Sequence, residues 1–235
     1  MAKPRMSRFV VLSHPLRPDA PVYPTNPPAA AIEPHHRIDA GDPDNSTRLA
    51  LFSHSGTHVD TPWHFNPDGP RAADLPIESF IFEAPRLVDV APGEGPFIRR
   101  AALDAHASAI AEADLVLLRT GWSARRASDP ERYPTDGPLL HPDAARWLID
   151  EHPGLRAVAT DAISIGSPRF HAESVATHHA LTGVGRTDGR FVLIYEDVAM
   201  PPRIESMVRV FAWPLFIEGS DGSPVTIVAE LPAAR

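Results

Sequence analysis

The sequence predicts a single α/β domain with more strand than helix, and three observations carry that prediction. Short apolar runs of strand length, at 115–119, 157–160 and 191–195, alternate with segments whose apolar residues recur at helical spacing. The chain has 235 residues, 43% of them apolar, enough to fill one sizeable core. No repeat, low-complexity block or linker divides it, and its 27 prolines are spread along the length, as loops and strand ends require. One domain over residues 1–235 is therefore expected.

The elements follow in order. Residues 8–13 (Arg-Phe-Val-Val-Leu-Ser) read as a first strand. Residues 14–47 are rich in Pro, Asp and His and read as a long loop or arm, a length that usually marks a functional or partner-contacting segment. Residues 47–52 form a strand leading into a histidine-rich stretch, and 66–75 a turn-rich loop. Residues 85–90 are a strand, and 99–112 have helical composition with Leu103, His106 and Ile110 at helical spacing. The run 115–119 is a buried strand ending at Thr120-Gly121-Trp122. Residues 142–151 are the best helix, with Pro142 at the first helical position and Ala145, Leu148 and Ile149 on one face. A buried strand at 157–160 closes on Asp161, a short helix at 173–181 carries His178 and His179, and a strand at 191–195 ends at Glu196-Asp197. Two last strands are expected at 207–214 and 225–230.

Composition excludes several functions. A net charge of −8 argues against a nucleic-acid partner, and no basic stretch points to a membrane surface. No run of about 18 apolar residues predicts a transmembrane helix, and Lys3, Arg5 and Arg8 precede no apolar signal region. Cysteine is absent, so there is no thiolate nucleophile and no sulfur-ligated metal, which fits a reducing, cytoplasmic setting.

The chemistry concentrates at residues 54–65, His-Ser-Gly-Thr-His-Val-Asp-Thr-Pro-Trp-His-Phe. In an extended chain, residues two or four apart share a face, so His54, His58 and Asp60 project together, with Gly56 leaving room between the rings. The pair is also spaced i, i+4, as on a zinc-binding helix. Gly56, Thr57, Val59 and Thr61 are poor helix formers, Pro62 biases Thr61 away from the helical region, and no Glu adjoins His54. A strand running into a turn is expected. Two imidazoles and a carboxylate suit zinc, manganese or iron and leave coordination positions open, as a catalytic metal does. His64 is placed for general acid–base work, or as a fourth ligand or partner of Asp60. Further ligands must come from distant strand ends, where Asp161, His178, His179, Glu196 and Asp197 are the candidates. Trp63 and Phe65 are core residues or an aromatic wall for a ring-bearing substrate.

Residues 54–65 also carry all eight fixed positions of the signature His-x-Gly-Thr-His-x-Asp-x-Pro-x-His-Phe. In this the chain resembles the cyclase-like metal-dependent hydrolases, a family that includes bacterial kynurenine formamidases (arylformamidases) and isatin hydrolases. Leu12–Leu16, Pro21–Pro24, Arg119–Trp122, Thr160–Ser164, His178–Leu181 and Glu196–Val198 resemble its other motifs. The resemblance implies a compact α/β domain around a barrel-like mixed β-sheet with flanking helices, of the swivelling β/β/α type. It implies a first divalent ion, zinc or manganese, on His54, His58 and Asp60. Asp60 would bridge to a second ion held by His178 and Glu196, so one or two ions bind per subunit. It implies His64 as proton donor and acceptor, and a homo-oligomer, dimer or tetramer, in which the arm at 14–47 is the candidate for exchange between subunits. Asp197 departs from the family's Asn after the glutamate, and the 183–190 segment is longer than formamidases carry.

The function expected is hydrolysis of a C–N bond other than a peptide bond in a small amide, lactam or lactone. Metal-bound hydroxide would attack the carbonyl, His64 would shuttle the proton, and Trp63 would contact the substrate. An arylformamidase of kynurenine and tryptophan catabolism is one form of it; opening of an isatin-like lactam is another. The rivals are a non-catalytic small-molecule or metal-binding protein on the same fold, which has no need of His64, and a purely structural metal site.

Overall fold

A computed structural model describes residues 8–91 and 95–233; Lys3 and Arg5 lie outside the described residues. The strands are β1 (Phe9–Val11), β2 (Ala30–His36), β3 (Ser46–Leu51), β4 (His58–Asp60), β5 (Ile81–Phe82), β6 (Pro85–Asp89), β7 (Phe97–Ile98), β8 (Leu115–Arg119), β9 (Leu139–Leu140), β10 (Ala157–Thr160), β11 (Leu193–Glu196), β12 (Arg209–Pro214) and β13 (Gly222–Glu230). The helices are α1 (Arg100–Asp104), α2 (Ala107–Ala111), α3 (Arg125–Ser128), α4 (Pro142–Glu151) and α5 (His171–Leu181). None of the described helices is long and apolar enough to cross a membrane.

The main sheet runs β5-β12-β13-β4-β11-β10-β8-β6, with β1 also on β13. β6, β8, β10 and β11 are parallel, and the remaining pairings are antiparallel, so the sheet is mixed. Its end strands, β5 and β6, are joined through Glu83 and Ala84 alone. The sheet must therefore curl until its edges nearly meet, which makes it barrel-like. Asp114 holds this corner by accepting the Glu83 and Ala84 N–H groups at 2.7 and 3.0 Å.

Curling creates two cores from one strand pattern. Leu115, Leu117, Ala157, Ala159, Leu193 and Tyr195 point inside the barrel, with Phe82, Val210 and Ile227. Val116, Leu118, Val158 and Ile194, one residue out of step, pack outward against Leu103, Ile110, Trp147 and Leu148 of the helices. Both faces of these strands are buried, which explains their continuous apolar runs. In α4, Pro142 begins the first turn, as expected, and His141 caps it.

Three expectations need correction. The 14–47 arm is not all loop: it holds β2, which pairs with β3, the strand expected at 47–52, in a two-stranded antiparallel sheet of their own. Both of its faces are largely exposed, so no alternation marked β2 in the sequence, and Pro34 inside it argued against a strand. The 99–112 helix is two short helices, α1 and α2, broken at Ala105–His106, each dropping one side chain, Leu103 or Ile110, into the outer core. The uninterrupted pleat over 54–60 is also absent, because β4 spans only His58–Asp60.

Candidate metal centre and active-site cavity

β4 lies between β11 and β13 and is antiparallel to both. Val59 enters the barrel core, so His58 and Asp60 face the other way, toward the helices. Glu196 is the cross-strand neighbour of His58 and shares that face. α5 passes over it and delivers His178; His179, the next position on the helix, lies against Phe65 instead. His54 arrives by a different route from the pleat expected. Gly56 takes φ +59, a left-handed turn that favours glycine, and folds the chain before β4 so that the His54 ring returns over the strand. Gly222, opposite Asp60, gives that ring its space: a Cβ there would stand 2.9 Å from His54 Cε1 and 2.6 Å from the Val59 carbonyl oxygen.

The hydrogen bonds define the state of each ring. His58 Nδ1 lies 2.8 Å from the Gly56 carbonyl, and His178 Nδ1 lies 2.7 Å from the Ser174 carbonyl. A carbonyl only accepts, so both Nδ1 atoms carry the proton and both Nε2 atoms are left toward the carboxylates. His58 Nε2 is 3.3 Å from Asp60 and 3.4 Å from Glu196; His178 Nε2 is 3.6 Å from Glu196 and 3.8 Å from Asp60. His58 Nε2 and Asp60 Oδ2 are buried and have no hydrogen-bond partner among the described residues. Lone pairs and negative charge thus converge on one buried point, which requires a proton or a cation there. Two groups, His58–Asp60–Glu196 and His54–Asp60–His64, each have ligand atoms within 4.8 Å of one another, and Asp60 belongs to both. The donor set fits a divalent ion held by imidazole and carboxylate.

The electrostatics agree. Burial opposes charge on His58 and His178, yet the Asp60 and Glu196 carboxylates outweigh it and raise both pKa values. Burial also opposes charge on His54, but Asp60 and Asp221 lift it to about 9. Burial would raise Asp60, but the His54 and His64 rings hold it well below the usual range. Glu196, also buried, is held down to about 2 by His178 and His58 and accepts from the Ser164 hydroxyl and Ile165 N–H at 2.9 and 2.6 Å. The centre attracts positive charge.

His64 sits in the 3₁₀ turn at Pro62–His64, its ring centroid 3.9 Å from that of His54. Its Nδ1 is 2.9 Å from Asp221 Oδ2, and His54 Nε2 is 2.8 Å from the same oxygen. Asp221 escaped the sequence reading, since Gly219-Ser220-Asp221-Gly222 looks like an ordinary polar turn. The available signal was a carboxylate directly before a strand of alternating burial. Thr61 fixes it by donating its N–H and hydroxyl to the Asp221 carbonyl.

A cavity of about 590 Å³ opens onto the centre, lined by His54, His58, His64, His178 and the three carboxylates. Its apolar wall is Tyr23, Phe52, Phe65, Ile163, Pro168 and Val175, and among the described residues no Lys or Arg lines it. Trp63, expected at the substrate, does not line it. The 3₁₀ turn that carries His64 inward carries Trp63 under the Arg71 guanidinium, 4.1 Å from its ring. Phe65 supplies the wall instead, stacked on His178 at 4.4 Å. Asp161 and Asp197 stand outside the cluster, bonded to Thr120 and Gly121 and to Arg126 and Tyr133 respectively.

Comparison with known proteins places this geometry in context. The "Putative cyclase" family model matches residues 10–167. A kynurenine formamidase of Maricaulis maris is 32% identical over 97% of this chain and 100% of its own length. Isatin hydrolase A from Labrenzia aggregata, solved with benzyl benzoate, superposes with a TM-score of 0.79 at 23% identity, over 96% of this chain and 94% of its own. A "predicted metal-dependent hydrolase" from Bacillus stearothermophilus superposes at 0.71 and 25% identity, over 94% of this chain and 97% of its own.

Proposed function

Because this chain belongs to the cyclase family, we propose that its centre hydrolyses a C–N bond in a small, uncharged aromatic amide or lactam. The class of metal-dependent hydrolase acting on non-peptide C–N bonds comes with that membership. The observation that supports the reading most strongly is the orphaned pair, His58 Nε2 and Asp60 Oδ2, turned toward one buried point beside an open cavity.

His58, Asp60, Glu196 and His178 would hold a divalent ion, and His54 with Asp60 would hold a second or complete the first. A bound ion of this kind polarises a carbonyl and makes water acidic near neutral pH. The chain's residues do the remaining work. Phe65, Phe52 and Tyr23 hold a flat ring. His64 donates Nδ1–H to Asp221, so its Nε2 is the basic nitrogen. It takes the proton of the attacking water, whose oxygen bonds to the carbonyl carbon. It returns that proton to the nitrogen as the C–N bond breaks, which leaves an acid and an amine. Asp221 stabilises the imidazolium between these events, as a carboxylate behind a catalytic histidine does. Among the described residues the wall offers no Lys or Arg to pair the carboxylate of the zwitterionic tail of N-formylkynurenine, which favours ring amides without such a group.

A panel of an aryl formamide, N-formylkynurenine, a fused aromatic lactam and an aromatic lactone tests this, with the protein loaded with zinc or manganese. Turnover of the uncharged ring amides, and a loss of about 10²–10⁴ in kcat for His64→Ala at unchanged metal content, is expected. Loss of metal with activity makes His64 a ligand. Bound metal without turnover across the panel makes the protein a binder.

A further inference from the structure

Asp197 is fully buried, follows the cluster residue Glu196, and uses its carboxylate elsewhere. Arg126 on α3 grips it with a fork: Nε to Oδ1 and Nη2 to Oδ2, both at 2.9 Å. The buried Tyr133 hydroxyl donates to Oδ1 at 2.6 Å. Asp161 anchors the loop that launches α3 by accepting the N–H groups of Thr120 and Gly121 at 3.0 and 2.9 Å. Nothing in the hydrolytic steps uses these groups.

Their placement gives them a task. Asp197 has φ +50, in the left-handed region, so the backbone turns sharply after Glu196. The two consecutive carboxylates then leave the chain in different directions, Glu196 into the cluster and Asp197 into the Arg126–Tyr133 grip. The Asp197 N–H donates to the Ala162 carbonyl at 2.8 Å, beside the loop whose Ser164 and Ile165 hold Glu196. Its own carbonyl accepts the Thr57 hydroxyl at 2.6 Å, and Thr57 directly precedes His58. A left-handed residue other than glycine costs about 1–2 kcal/mol, and Asp tolerates it better than most. Ala162 and Thr57 hold the Asp197 backbone in that turn, and the two-point grip holds its side chain.

We propose that Arg126, acting through Asp197, is a positioning residue that sets Glu196 and the His58 strand for metal binding. The proposal rests on the metal centre described above. Arg126→Lys keeps the charge but loses the planar fork, and Tyr133→Phe removes one hydroxyl at constant shape. Arg126→Gln with Asp197→Asn removes the buried charge together with its partner. The measurements are competition of zinc or manganese against a chromogenic chelator, kcat and KM for the best panel substrate, and melting temperature. We expect metal affinity to fall 10–100-fold in Arg126→Lys and in the double variant, and less in Tyr133→Phe. We expect kcat to fall with it while KM stays within about threefold, since no residue of the cavity wall is touched. Folded Arg126→Lys and Tyr133→Phe proteins with parental metal affinity and kcat overturn the proposal, even if they melt earlier. A parental protein that binds neither ion overturns instead the metal centre itself.

Discussion

Replacing Asp221 with Asn separates the proton machinery from the metal ligands. In the parental protein one oxygen, Oδ2, faces both His64 Nδ1 at 2.9 Å and His54 Nε2 at 2.8 Å. Burial would raise the Asp221 pKa, but these two imidazoles hold it far below the usual carboxylate range, so the group is charged. An amide of the same shape offers either an oxygen or an NH₂ at that point. The oxygen still orients His64 but gives the imidazolium no counter-charge. The NH₂ forces His64 Nδ1 to accept, moves the ring proton to Nε2 and removes the basic nitrogen. Both outcomes act on the proton transfer, and a general base contributes about 10²–10⁴-fold, or roughly 3–5 kcal/mol of barrier. Asp221→Asn should therefore lower kcat at least 10²-fold at saturating metal. The weakened hold on His54 should cost metal affinity about 10-fold, typical of a group that orients a ligand. The decisive assay is a cycle with His64→Ala. If Asp221 works through His64, the double variant turns over within about threefold of His64→Ala alone. A kcat within threefold of parental in Asp221→Asn, or losses that multiply in the double variant, would refute the reasoning.

Two further outcomes follow from the same structure. With metal removed by chelation, the protein should lose stability as pH rises. The His54 pKa of about 9 stands above its ordinary 6.5, so the stabilisation is complete below 6.5 and is lost as pH climbs through 9. The gap corresponds to about 3 kcal/mol, read as a fall in denaturant midpoint between pH 6 and 9.5; a flat profile would contradict it. The second concerns assembly. The β2–β3 hairpin exposes Ile32 and Leu49, and β1 and β12 expose Phe9, Val11 and Trp213, surfaces that a second copy of the chain would cover. Sedimentation should give a dimer or larger species, and a fully active monomer would exclude that arrangement.

The sequence announced the cluster through residue type and spacing, because two imidazoles and a carboxylate within seven positions need no long-range information to be noticed. It also marked the inner strands, since runs such as Leu115–Arg119 are apolar on both faces for a reason that holds locally. What it concealed was non-local. His54 reaches the cluster through a turn at Gly56 rather than along a pleat, and only the packing of β4 between β11 and β13 reveals that route. Asp221 meets His64 across 157 positions, and Arg126 meets Asp197 across 71. In both cases the partner is an ordinary charged residue in an ordinary turn or short helix. Spacing can therefore nominate the atoms that bind a cation, but sheet order decides which carboxylate stands behind which imidazole. That second choice sets where the protons reside. A relative that keeps residues 54–65 and changes only the turn before β13 should keep its metal centre, at about 10-fold lower affinity, and lose its proton transfer, and it is there that chemistry within this fold can diverge.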